Sequence, residues 1–175
     1  MRNRLLSLIA AAVIPFGTVL AQDASPRNVF SFQPLTAVFT VYSAEYERQT
    51  AGALTVGVGG TYWSLGDATD ELTYKSADVK LRYYPNGTAL SGFSFGGTVG
   101  FTSVSGTSTS GFDESAGGPS FGVLLEYQWL MGAKQNFSVA LGAGAKALSV
   151  KQETFTSGDF TARYPTARIS VGYAF

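Results

Sequence analysis

Eight charged side chains carry most of the chemistry this sequence offers: Glu45, Glu47, Asp78, Lys80, Arg82, Glu126, Lys146 and Arg168. The spacing of two between Glu45 and Glu47, and along Asp78, Lys80 and Arg82, sets each group on one face of an extended strand, because alternate side chains point the same way. Carboxylates so placed are general-base candidates, Glu126 and Asp78 first. No Ser or Thr beside them forms a recognisable nucleophile pair, and ion pairing with Lys80 and Arg82 is the simpler use. The chain has no His and no Cys. Imidazole catalysis, thiolate metal sites and disulfides are therefore excluded, and no catalytic residue, metal or cofactor is expected. The run Gly57-Val58-Gly59-Gly60 sits in mid-strand with no helix after it, so a phosphate-loop reading fails on context. A formal charge of zero gives no footprint for nucleic acid.

The elements that must position these residues are strands. Segments of alternating character, separated by turn residues, run over Asn28 to Leu35, Ala37 to Arg48, Leu54 to Leu65, Thr73 to Tyr84, Phe93 to Val104, Ser120 to Trp129, Phe137 to Val150 and Ala162 to Phe175. Pro34 interrupts the first, so Asn28 to Arg48 is either two strands or one long bent strand. One face of these segments holds the eight charges, four acidic and four basic, together with Gly57, Gly59, Gly96, Gly100, Gly122, Gly142 and Gly144. The other face is apolar and uncharged. It carries Tyr83, Phe93, Tyr127, Trp129, Phe137, Tyr173 and Phe175 near what would be one rim. A soluble ligand-binding barrel would turn its apolar face inward. Here the apolar face has nothing charged to keep it in water, which predicts lipid outside and a polar interior.

The two ends point to the same address. Arg2 and Arg4 precede an apolar run from Leu5 to Phe16 and the small-residue pattern Val19-Leu20-Ala21, which reads as a cleavable signal peptide over residues 1–21. The run, at about 12 residues, is shorter than the roughly 20 a spanning helix needs. The last segment alternates to a terminal aromatic, with Tyr173 and Phe175 as the expected membrane-insertion signal. The expectation is an all-β, transmembrane, antiparallel up-and-down barrel of about eight strands over residues 22–175. With Phe175 in the periplasm, short connections at Gln49 to Ala53, Pro85 to Gly92 and Leu130 to Asn136 fall inside. Those at Gly66 to Leu72, Ser105 to Pro119 and Lys151 to Thr161 fall outside, and the two longest are among them.

With its alternating segments, its ending Ser170-Val171-Gly172-Tyr173-Ala174-Phe175, and the stretches Glu45-Tyr46-Glu47-Arg48, Ala77 to Gly87 and Gly142 to Lys146, the chain resembles small eight-stranded outer-membrane barrels of the OmpA transmembrane-domain and OmpX type. The resemblance implies a Gram-negative outer-membrane location, a closed and charge-filled interior, and no established activity. Enzymatic outer-membrane barrels, the lipid A palmitoyltransferase, deacylase and omptin types, imply a catalytic His that this chain lacks. The expected protein is thus non-enzymatic and monomeric. It has a structural or surface-interaction role, with a narrow porin-like pore as the alternative. Its expected partners are outer-membrane lipids, lipopolysaccharide and, during biogenesis, the barrel-assembly machinery. The outer connections carry Asp67, Asp70, Glu71, Asp113, Glu114, Glu153 and Asp159 against Lys75, Lys151 and Arg163, an acidic excess without a calcium-loop spacing.

Overall fold

A computed structural model describes residues 25–67, 70–107, 113–150 and 160–175. The expected signal peptide, residues 1–21, lies outside them. Eight antiparallel strands, β1 Asn28–Phe32, β2 Val41–Ala51, β3 Leu54–Asp67, β4 Asp70–Tyr83, β5 Gly92–Thr107, β6 Asp113–Met131, β7 Phe137–Val150 and β8 Phe160–Ala174, pair each with the next. Pairing of β1 with β8 closes the barrel, from Val29 opposite Ala174 to Phe32 opposite Val171. Closure removes the exposed edges that an open sheet would present.

The ambiguity in the first hairpin resolves as two strands. β1 ends at Phe32, and Pro34 opens a one-turn helix, α1 Pro34–Ala37, where its fixed φ suits the first helical turn and its missing N–H costs nothing. β1 has five residues while β2 and β8 continue past it, and α1 packs against both of those strands above its end. At the other end Phe175 ties the seam through its backbone. Its N–H donates to Asn28 O at 2.9 Å, and its carbonyl accepts from Asn28 N at 2.9 Å and Arg27 N at 3.1 Å.

Three expectations need correction. The expected connection Gly66 to Leu72 is mostly strand, since β3 and β4 pair out to Asp67 opposite Asp70. The stretch Ser105 to Pro119 was expected to be an outer connection, yet β5 runs to Thr107 and β6 starts at Asp113, paired from Ser103 opposite Gly117 to Thr107 opposite Asp113. Its small and polar residues lack alternation because neither face there enters a core, and a ladder of backbone hydrogen bonds does not need it. Connection lengths are accordingly less asymmetric than expected. Nine residues join Val150 to Phe160, five join Thr107 to Asp113, and eight join Tyr83 to Gly92 at the opposite end, the end that holds Phe175. Glu71, Lys75 and Arg163 likewise lie on strand ends rather than in connections. The side chains of Asp67, Asp70, Asp113, Glu114, Lys151, Glu153 and Asp159 lie outside the described residues.

The faces fall as the alternation predicts. Val58, Val79, Leu81, Phe95, Phe101, Phe121, Val123, Leu125, Leu141 and Ile169 all point outward and are exposed. Between Arg48 near one rim and Lys75 and Arg163 near the other, no outward strand position carries a charge. The aromatic rim is built of contacting rings, Tyr127 on Trp129 at 4.6 Å between centroids and Tyr173 on Phe175 at 6.1 Å.

Candidate functional site: the charged barrel interior

Each charged lumen residue sits opposite a glycine on a neighbouring strand. Glu45 and Asp78 face Gly59, Glu47 and Lys80 face Gly57, Arg82 faces Gly96, Glu126 and Arg168 face Gly142, and Lys146 faces Gly122. Eight strands leave an interior that side chains just fill, so a long charged chain can cross the bore only where its cross-strand neighbour takes no space. This complementarity brings all eight predicted residues into the lumen and most of them together.

Six of the eight form one network. Arg82, 1% exposed, places Nη1 2.6 Å from Glu45 Oε1 and 3.2 Å from Glu47 Oε2, and Nε 3.5 Å from Glu126 Oε1. Arg168 places Nη1 2.6 Å from Glu45 Oε2 and Nε 3.3 Å from Glu126 Oε2, while Lys80 donates to Glu45. Three carboxylates thus meet three cations, and each residue has more than one hold or shares a partner that does. Asp78 and Lys146 are a separate pair, 2.7 Å apart, with Ser76 Oγ donating to Asp78 at 3.0 Å. The balance matters because removing one member of a buried ionic set leaves an uncompensated charge. The contacts of Arg82 are close, but none has the direction of a hydrogen bond, and its Nη2 has no partner among the described residues.

Below this network, toward Phe175, the bore holds a second cluster that the sequence reading did not identify. Tyr84, Ala89 and Leu90, from the connection between β4 and β5, turn into the barrel and pack with Val29 and Ala174, fully or nearly fully buried. The Tyr84 hydroxyl lies 3.0 Å from Glu47 Oε1 and 2.9 Å from Gln128 Oε1 and donates its one proton to the carboxylate, the stronger acceptor. Gln128 donates on to Ser138 Oγ at 3.0 Å, and Thr55 donates to Glu47 at 2.5 Å. The available signal was the apolar pair Ala89-Leu90 inside an otherwise polar turn. Above the network, toward the opposite end, a cavity of about 350 Å³ remains, walled by Ser43, Thr61, Ser76 and Thr98 and crossed by Tyr74 and Tyr164, whose hydroxyls are 3.1 Å apart.

Chemically, each of these carboxylates is engaged by a cation, and two of them also accept from a hydroxyl: Glu47 from Thr55 with Arg82 on its other oxygen, and Asp78 from Ser76 with Lys146 on its other oxygen. Among the described residues no group of three or more His, Cys, Asp or Glu converges as a metal site. Tyr173 and Phe175 lie away from the lumen, exposed on the outer face at the closing seam.

No protein-family model matches the chain, and no curated protein matches it. Among solved structures the chain is similar to the crystal structure of the N-terminal β-barrel domain of Pseudomonas aeruginosa OprF, with a TM-score of 0.49 and 14% identity over 87% of this chain and 100% of that one.

Proposed function

We propose that the chain is a non-enzymatic outer-membrane β-barrel protein, a monomer with a charge-plugged lumen and a structural or surface-interaction role. The observation that carries this reading is the pairing of an uncharged apolar belt around the outer wall with ions confined to the inside. A charge on the lipid face near the bilayer midplane costs roughly 2–4 kcal/mol, and a barrel that keeps all its mid-strand ions inside avoids that cost. In this reading the end that holds Phe175 is periplasmic, the opposite end is extracellular, the belt contacts lipid and lipopolysaccharide, and the assembly machinery reads the terminal aromatic strand. The sequence holds no His to serve as a catalytic base.

The test is expression of the whole chain followed by membrane fractionation and electrophoresis with and without heating. Processed protein in the outer-membrane fraction, running faster unheated than boiled, is the expected result. Recovery as a soluble periplasmic protein would refute it. The cavity above the ion network favours one second reading, a narrow pore, since only part of the bore is filled by that network.

A further inference from the structure

The cavity and the network that floors it are unequal in charge. Of the six charged residues that line the cavity, Lys80, Arg82, Lys146 and Arg168 are cationic and Asp78 and Glu126 anionic, four against two. Glu45 and Glu47, which balance the set, do not line it. Lys80 and Arg168 are the most exposed members of the network, at 20% and 15%. Behind them, among the described residues, Arg82 Nη2 has no hydrogen-bond partner and Thr98 Oγ1, on the position paired with Lys80, has none either, while the buried acceptors likewise without one are Glu45 Oε1 and Glu126 Oε1. Buried donors of this kind are costly to leave unmet, a cationic one most of all. Hydroxyls of Ser43, Thr61 and Tyr74 complete the walls. Ser43 and Thr61 bond each other and Tyr74 bonds Tyr164, so the donors that an acceptor with several oxygens and a negative charge would answer are Arg82 Nη2 and Thr98 Oγ1.

We propose that the cavity is a binding site for a small oxyanion, a phosphate- or carboxylate-bearing group held by Lys80, Arg82 and Arg168 with Thr98. Entry has two routes. One is the end of the barrel away from Phe175, for a free solute. The other is the gap above β1, where β2 and β8 have no strand between them and only α1 covers the wall at Gln33 and Thr36, both of which line the cavity. That route would admit the headgroup of an anionic lipid. The proposal is independent of the membrane orientation given above, and its test in micelles does not depend on it.

The experiment titrates the refolded full mature chain, in a nonionic detergent, with inorganic phosphate and separately with decyl phosphate, following backbone amide resonances; tetraethylammonium chloride is the control. Saturable shifts at Lys80, Thr98 and Arg168 are expected with a phosphate probe and not with the control. Similar affinity for the two phosphates identifies a free solute. At least tenfold tighter binding of decyl phosphate, with shifts also at Thr36, identifies a lipid headgroup. Thr98→Val removes the hydroxyl while keeping the shape, so it is expected to fold and to bind three- to tenfold more weakly, a loss of one hydrogen bond. Absence of saturable shifts at these amides for both phosphates, or equal shifts with the control salt, would overturn the proposal, as would unchanged affinity in Thr98→Val.

Discussion

At the residue scale the interior turns on Arg82, which reaches three carboxylates on two other strands from a position 1% exposed. Arg82→Met removes its charge and leaves Glu45 with Lys80 and Arg168, but strips Glu47 of its only ion pair among the described residues. The expected loss is about 3–5 kcal/mol in urea unfolding of the inserted protein, the range for breaking a buried pair. Arg168→Met is expected to cost less, since that side chain is 15% exposed and partly screened, and Glu126 keeps Arg82. Adding Glu47→Gln to Arg82→Met should recover part of the loss, because the orphaned charge is then gone; additive losses would show that the two do not act as a pair. The identity of all eight interior charges was legible, because parity along a strand decides which side of the wall a residue takes. Their division into a group of six and the pair Asp78–Lys146 was not. It depends on register between strands, and alternation alone does not encode register.

At the scale of elements, register and face decide how closely a neighbouring strand approaches each glycine, and that predicts unequal tolerance among glycines. A Cβ on Gly144 would run into the backbone carbonyl of Val123 and lie 3.0 Å from Thr166 Oγ1, so either strand β6 or β7 must shift. Gly144→Ala should destabilise by about 1–3 kcal/mol, as overpacking does. On Gly97, which points outward, the nearest atom to a Cβ is Gly122 O at 3.8 Å, so Gly97→Ala should be neutral within about 0.5 kcal/mol. Unfolding midpoints of the two variants under one set of conditions decide the matter, and equal values would contradict the packing argument. The closing seam makes a second distinction. Phe175 contributes three backbone hydrogen bonds to Arg27 and Asn28 as well as its ring, so Phe175→Asp keeps those bonds while replacing the ring by a charge, and deletion of Phe175 loses ring and bonds together. Both variants should yield less inserted protein, and deletion should yield the less of the two in a detergent refolding assay without assembly factors. Where elements were misread, at α1 and in the outward extension of β5 and β6, the physical reason is shared. Those stretches bury neither face in the core, so no hydrophobic period marks them.

At the scale of the whole molecule the question is what a solute meets along the bore, and it meets two barriers in series. The ion network spans mid-barrel, and Tyr84, Ala89 and Leu90 pack into the end near Phe175. Sequence parity revealed the first barrier. The second was hidden because it is made by a connection folding back into the barrel, and loops ordinarily run over the surface. Two barriers change what neutralising the network should do. Replacing Arg82 with Met and Glu126 with Gln opens space at mid-barrel, yet leaves Leu90 buried in its apolar seat, so frequent openings are not expected from that pair alone. Leu90→Gly alone removes the apolar seal but leaves the paired ions across the bore. Only the triple variant should show a marked rise in opening frequency in planar bilayers, and the two partial variants should stay close to the unmodified protein, which is expected to show no steady conductance. An increase from the Arg82 and Glu126 changes alone would mean that the terminal plug is not a barrier. Steady, solute-sized conductance from the unmodified monomer would mean that neither device closes the bore, and the pore reading would replace the plug.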